Sequence, residues 1–369
     1  MVEFIKGMDI STLLEEEACG ARYFDHGREG DLLEILKDYG ANYVRLRLWN
    51  DPYAEDGTAY GAGTNDLDKT IIMAKRALKL DMGFLLDIHY SDFWADPGKQ
   101  VVPKAWREYN EEELEQAVFD FTRETMIKLA DNEAAPTMVQ VGNELTNGLL
   151  WPTGKKPEFD NIARYVSAGI RGVRAVDKDV PIMIHLDNGG NNEMYREWFD
   201  EFVSRENDFQ IIGLSYYPFW HGTLGQLDYN MNDMAERYNK ELIVAEVSMG
   251  FTMVDYAEYE KLPSDKRKGM ATREELVEDL AYPMTKEGQA GFMKDIMTRI
   301  ALVPGGRGFF YWEPGWIPVP GCEWATPAAL EYTGEAGPGG NEWANQALFD
   351  YEGNALPALE VIRDFSTSK

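Results

Sequence analysis

Two cysteines, Cys19 and Cys322, and four histidines are all the thiol and imidazole ligands that 369 residues provide. A disulfide scaffold or a thiolate metal centre needs more. Basic residues are scarce too: 36 Lys and Arg stand against 64 Asp and Glu, for a net charge of −28. A surface this negative repels phosphate backbones and anionic lipid, so nucleic acid is not an expected partner and an uncharged substrate is favoured. No run of about 18 apolar residues occurs, and no membrane span is expected. Met1 to Gly7 lack the apolar core of a secretory leader; cytoplasmic residence is the expectation, with a leader removed from the chain as the alternative. Gly-x-Ser-x-Gly and Walker motifs are missing, and the glycines around Gly61 and Gly63 lack dinucleotide-binding spacing. Serine-hydrolase and nucleotide chemistry fall away, and no cofactor is expected.

What remains is ordinary globular material, 44% hydrophobic and 27% charged, enough to bury a large core. Strand-like tracts recur near Gly7 to Ser11, Asn42 to Trp49, Gly83 to Tyr90, Thr137 to Asn143, Pro181 to Asp187, Ile211 to Tyr217, Leu242 to Val247 and Gly308 to Glu313. Between them, helical spacing aligns Leu67, Ile71, Ala74 and Leu78, then Ile162, Val166, Ile170 and Val173, then Phe292, Ile296 and Ile300. Eight such repeats predict an α/β protein, a (β/α)8 TIM barrel occupying residues 1–369 as one catalytic domain. Long segments follow the strands, notably 50–66, 90–110, 248–285 and 314–356. In a barrel they gather at the carboxyl-terminal face, where active sites sit.

Strand alternation sets Val44, Leu46 and Leu48 on one side and Tyr43, Arg45, Arg47 and Trp49 on the other. Arginines on an inner face require carboxylate partners at the mouth. Acids do fall at strand ends: Glu144 beside Asn143, Glu246 after Leu242 to Ala245, and Glu313 after Trp312. A carboxyl behind buried apolar residues is desolvated, which raises its pKa and suits it to proton donation. Glu144 and Glu246, from the fourth and seventh strands, form the carboxyl pair that glycoside hydrolysis uses; the competing reading makes them structural partners of Arg45 and Arg47. Nine of ten tryptophans, including Trp94, Trp312, Trp316, Trp324 and Trp343, lie in loops or at strand ends. Flat apolar rings stack on sugars, although any one ring could equally fill a loop core. His89, His185 and His221 lie near strand ends, but no His-x-His pair or His-Glu-x-x-His helix accompanies them, and no metal is expected.

The segments VRLRLWNDP from Val44, DIHYSDFWADPGKQ from Asp87, VGNELTNGLLWPTGK from Val141, IHLDNGG from Ile184, SYYPFW from Ser215, AEVS from Ala245 and FYWEPGW from Phe310 closely resemble glycoside hydrolase family 53. That family comprises endo-β-1,4-galactanases acting on the galactan side chains of pectin, and the likeness runs from about Gly7 to the last helix. It implies retaining hydrolysis of galactan or type I arabinogalactan, with Glu144 as acid/base and Glu246 as nucleophile. It further implies that Asn143 holds the 2-hydroxyl of the sugar being cleaved, and that Arg45 keeps the nucleophile ionised. His89, Tyr216 and Trp312 would line the same subsite, and Trp94, Asp187, Asn188 and Trp316 the cleft. The implied partner is a galactan or galacto-oligosaccharide, and the chain is expected to act as a monomer. Alternatives are a related barrel glycosidase on another β-linked glycan, or a carbohydrate-binding barrel without catalysis. Bacterial members often hold calcium in the loop after the seventh strand; here MVDYAEYEKLPSDKRKGMATREE lacks a cluster of ligands, so none is expected there. Fungal members carry a late disulfide; Cys19 and Cys322 fall elsewhere, in loops after neighbouring strands, and free thiols are expected.

Overall fold

The computed structural model describes residues 3–263, 273–335, 337 and 339–367. Eight strands close into a parallel barrel: β1 (Ile5–Asp9), β4 (Tyr43–Leu48), β5 (Gly83–Ile88), β6 (Met138–Val141), β7 (Ile182–Leu186), β8 (Ile211–Tyr216), β9 (Glu241–Val247) and β10 (Gly306–Trp312), with β10 pairing back onto β1. A short hairpin, β2 (Tyr23–Asp25) with β3 (Arg28–Gly30), interrupts the first connection and was not legible in the sequence. The helices are α1 (Leu13–Ala18), α2 (Leu32–Asp38), α3 (Leu67–Lys79), α4 (Glu111–Asp131), α5 (Phe159–Arg174), α6 (Asn192–Val203), α7 (Leu224–Tyr238), α8 (Glu274–Val277), α9 (Lys286–Leu302), α10 (Pro327–Thr333), which packs against the aromatic cluster of the mouth, and α11 (Pro357–Asp364).

Local chemistry starts these helices where the sequence places polar caps. Asn110 and Glu113 close a reciprocal capping box on α4, and Thr223 and Gln226 do so on α7, each satisfying amides that have no intrahelical partner. The anticipated apolar faces of α5 and α9 are buried. On α3 the buried face is instead Thr70, Met73, Ala74 and Ala77, with Leu67, Ile71 and Leu78 on its half-exposed shoulder.

Inside the barrel, a lower apolar layer of Ile5, Leu85, Met138, Met183, Ile211, Ile243 and Phe310 plugs the amino-terminal end. Two glycines make room for it: a Cβ on Gly7 would lie 2.2 Å from the Phe310 ring, and one on Gly83 2.2 Å from the Tyr43 ring. The alternation of β4 holds, since Val44, Leu46 and Leu48 join the layer between sheet and helices while Arg45 and Arg47 point inward above the plug. Charge is thereby confined to the carboxyl-terminal half of the interior. Cys322 is buried and Cys19 half-buried, both as free thiols. Part of the segment considered for calcium, 264–272, lies outside the described residues.

Candidate active site

Arg45 is the hub of the mouth. Fully buried, it pairs through Nη1 with Asp9 at 2.8 Å and through Nη2 with Asp87 and Glu246, both at 2.9 Å; Nη2 also donates to Asn143 Oδ1 at 2.9 Å, and Nε to Gln140 at 3.2 Å. Burial opposes its charge, but Asp87, Glu246 and Asp9 together outweigh burial and raise its pKa. The acidic partners that β4 demanded are therefore Asp9 and Asp87, at the ends of β1 and β5, with Glu246 between them.

Glu246 lies in β9 with one oxygen on Arg45 and the other accepting from the Tyr217 hydroxyl at 2.6 Å. Burial raises its pKa, while Arg45 and Tyr217 pull it back towards ionisation. The expectation that Arg45 keeps this carboxyl ionised is met in direction by the ion pair, but desolvation is the larger influence. Glu144 follows β6 in the left-handed conformation, φ 46°, and its Oε1 accepts from Ser215 Oγ at 2.6 Å. No ion pair reaches it among the described residues. Burial, with Glu246 and Asp187 nearby, pushes it well above the ordinary carboxyl value, against only the Ser215 bond.

An oxygen of Glu144 and one of Glu246 lie within 4.8 Å of each other, with a His185 nitrogen completing the group. The set could ligate a cation in outline, yet both His185 nitrogens are engaged: Nε2 with Ser215 Oγ at 2.9 Å, and Nδ1 with Asn143 and Gln140 at 3.0 Å. Burial, then Arg45, depresses its pKa well below the usual histidine value, so it stays neutral. The donor set reads as a hydrogen-bond relay that orients Glu144. Asn143 spends one Nδ2 hydrogen on the Ala95 carbonyl at 2.9 Å and keeps the other for the cavity.

The cavity, of about 220 Å³, is lined by Glu144, Glu246, Asn143, His89, Asp187, Trp94 and Trp312 from the anticipated set. His89 is held by Asp87 on Nε2 at 2.9 Å and by Trp49 on Nδ1 at 3.2 Å. Asp187 accepts the Thr146 hydroxyl. Arg47 pairs with Glu313 at 2.7 Å and lies 4.5 Å from the Trp94 ring centroid and 5.4 Å from that of Trp312, making a cation-backed aromatic wall.

Three anticipated residues fall elsewhere. Tyr216 points outward, its ring stacked on Phe292 and its hydroxyl donating to Gly222. Its neighbour Tyr217 takes the inward place because Ile211, Gly213 and Ser215 set the inner register of β8, and a one-residue shift reverses the face. Trp316 is buried behind the wall, stacked 5.7 Å from Trp324, the ring that faces the cavity. Asn188 lies beside the cavity, in an adjoining recess. Tyr217, Trp220, Trp324 and Trp343 also line the cavity, and Ser215 holds Glu144; of these, sequence reasoning offered the tryptophans only as members of the tryptophan crowd and placed none in a subsite. Strict alternation along SYY would have found Tyr217, while Trp324 and Trp343 come from a segment with no periodic signal.

Two desolvated acids, close together and held in unlike environments, are what acid-assisted nucleophilic displacement at an acetal carbon requires. The class defined by this barrel and its mouth is the glycoside hydrolases. Within it, residues 5–362 match the model of Glycosyl hydrolase family 53, and the chain belongs to that family. Endo-beta-1,4-galactanase of Bacillus subtilis (strain 168) is 36% identical over 381 residues, covering 98% of this chain and 86% of that one. The GH53 catalytic domain of Ignisphaera aggregans superimposes with a TM-score of 0.89 at 38% identity, covering 98% of this chain and 96% of the other. A structure from a study of two fungal beta-1,4-galactanases gives a TM-score of 0.76 at 31% identity, covering 97% and 98%.

Proposed function

We propose that this chain is an endo-acting retaining β-1,4-galactanase in which Glu246 is the nucleophile and Glu144 the acid/base. The observation that carries the role assignment is the asymmetry of partners: Glu246 bonds Arg45 and Tyr217, whereas among the described residues the Glu144 carboxyl is hydrogen-bonded by the neutral Ser215 and by no cation. In the first step the Glu246 carboxylate attacks the anomeric carbon while the glycosidic oxygen leaves with the Glu144 proton, giving a glycosyl ester on Glu246. Glu144, now ionised, takes a proton from water; the resulting hydroxide adds to the anomeric carbon and displaces Glu246. One oxygen of each carboxyl lies within 4.8 Å of the other, which favours the close pair of a retaining site, about 5–5.5 Å, over the about 6.5–9.5 Å of an inverting one. Asn143 would take the 2-hydroxyl with its remaining N–H, His89 and Trp312 would border the same sugar, and Trp94 and Asp187 would extend the cleft.

Galactan as substrate is supported by the family and by the names of the relatives, and by a cavity walled with tryptophans that suit the apolar faces of a sugar. Reducing-sugar release from purified linear galactan, mannan and xylan tests it: galactan is expected to be cut internally with retained configuration. Activity on mannan but not galactan would overturn the substrate, and intact galactan after long incubation would overturn catalysis. No described helix is long and apolar enough to cross a membrane. Cytoplasmic residence, monomeric action and one catalytic domain over the whole chain complete the proposal, the first supported by two free thiols. Cell fractionation and sedimentation check residence and monomeric state.

A further inference from the structure

A second recess, of about 580 Å³, opens next to the cavity, and His221 borders both. It lies between the segments that follow β7 and β8. Its lining residues include no Asp, Glu, Lys or Arg, although 27% of the chain is charged. Three other recesses on the described surface each carry carboxylates, Glu113, Asp66 and Glu258 among them. In place of charge this one presents the Asn188 amide, Asn191, Gln226 and the hydroxyl of Tyr229, whose ring is 60% exposed. Asn191 and Gln226 use their side-chain oxygens on helix caps, which leaves their amide N–H groups available. His221 Nδ1 meets the Tyr217 amide at 3.2 Å and the Ser215 carbonyl at 3.1 Å, and burial lowers its pKa to about 4, so the ring is neutral and holds the strand end through Nδ1.

Position assigns the recess a side. Glu144 gives its proton to the departing sugar, so the reducing-end portion of a bound chain leaves on the Glu144 side. β7 stands next to β6 and β8 next to β7 in the barrel, and Ser215 of β8 and Thr146–Asp187 tie their ends to Glu144's surroundings. The tryptophan wall instead stands over β5 and β10. We propose, resting on the galactanase reading, that this recess is a distal leaving-group site that binds uncharged galactosyl residues. Tyr229 supplies a stacking face, and Asn188, Gln226 and His221 supply hydrogen bonds to hydroxyls.

The test compares two substrates in Tyr229→Ala and in Asn188→Gly, which keeps the positive φ of 52° accessible. One is galactohexaose labelled at its reducing end; the other is an aryl β-galactobioside, whose leaving group carries no sugar. Expected is an about tenfold loss of kcat/KM on the hexaose, the size of one lost stacking contact. Labelled products should become shorter, and the aryl substrate should change less than about twofold. Tyr109→Ala, at an exposed tyrosine in an acidic recess, serves as control and should match the wild type. Equal losses on both substrates, or an unchanged product pattern, would overturn the site. A wild type that cuts the aryl substrate but not the hexaose would bring down the galactanase reading, and this site with it.

Discussion

The two halves of the cavity are equally dry and differently furnished. Glu144 is 8% exposed and Glu246 6%, so desolvation weighs on both alike. Around Glu246 the protein places a guanidinium, two further carboxylates and a phenol; around Glu144 it places no cation but a serine, a neutral histidine and two amides, with Asp187 nearby. Burial alone would make two weak acids. The charged half allows one of them to ionise, and the neutral half keeps the other protonated. The lesson is that role follows from partners when exposure is held constant.

Removing the carboxylate from the charged half should have the largest effect. Glu246→Gln is expected to cut kcat by on the order of 10⁴-fold or more on every substrate, measured with galactan and with aryl galactosides. Next, Glu144→Gln should cost about 10²–10⁴-fold on galactan, whose leaving group needs a proton, while sparing the first step with activated aryl galactosides. Equal losses on the two substrate types would erase the distinction between the halves. Arg45→Met strands Asp9, Asp87 and Glu246 without their shared cation, and an unfolding free energy lower by about 3–5 kcal/mol is expected by denaturant titration.

Smaller changes sharpen the contrast through pH. Activity requires Glu246 ionised and Glu144 protonated, so the acid limb follows Glu246 and the alkaline limb Glu144. Tyr217→Phe removes a bond that favours the Glu246 carboxylate; the acid limb should move to higher pH, with an about tenfold loss below the optimum. Ser215→Ala removes the bond that lowers Glu144, so the alkaline limb should move up while the acid limb stays. Log kcat/KM against pH checks both, and movement of the same limb by both variants would contradict the assignment.

Much of this site could be read from order and spacing. The inward arginines, the acids at strand ends and the crowd of tryptophans each follow from a local rule, and the family motifs join them. The register of β8 was open to the same reading, yet Tyr216 and Tyr217 are chemically identical neighbours, and only the inward run of Gly213 and Ser215 separates them. Trp316 and Trp324 could not be told apart at all. Both lie in irregular chain after β10, and which ring faces the cavity depends on the packing of Trp94 and Trp312 against them.

The sequence by itself determined the repeating strand–helix order, the inward face of β4 and the need of Arg45 and Arg47 for buried carboxylates, because alternation and desolvation act on residues in fixed local positions. Only closure of the barrel decided that Asp9, Asp87 and Glu246 converge on one guanidinium while Glu144 is left to a serine. Those partners come from strands far apart in the chain, and the circular strand order that brings them within hydrogen-bonding reach is a property of the whole sheet.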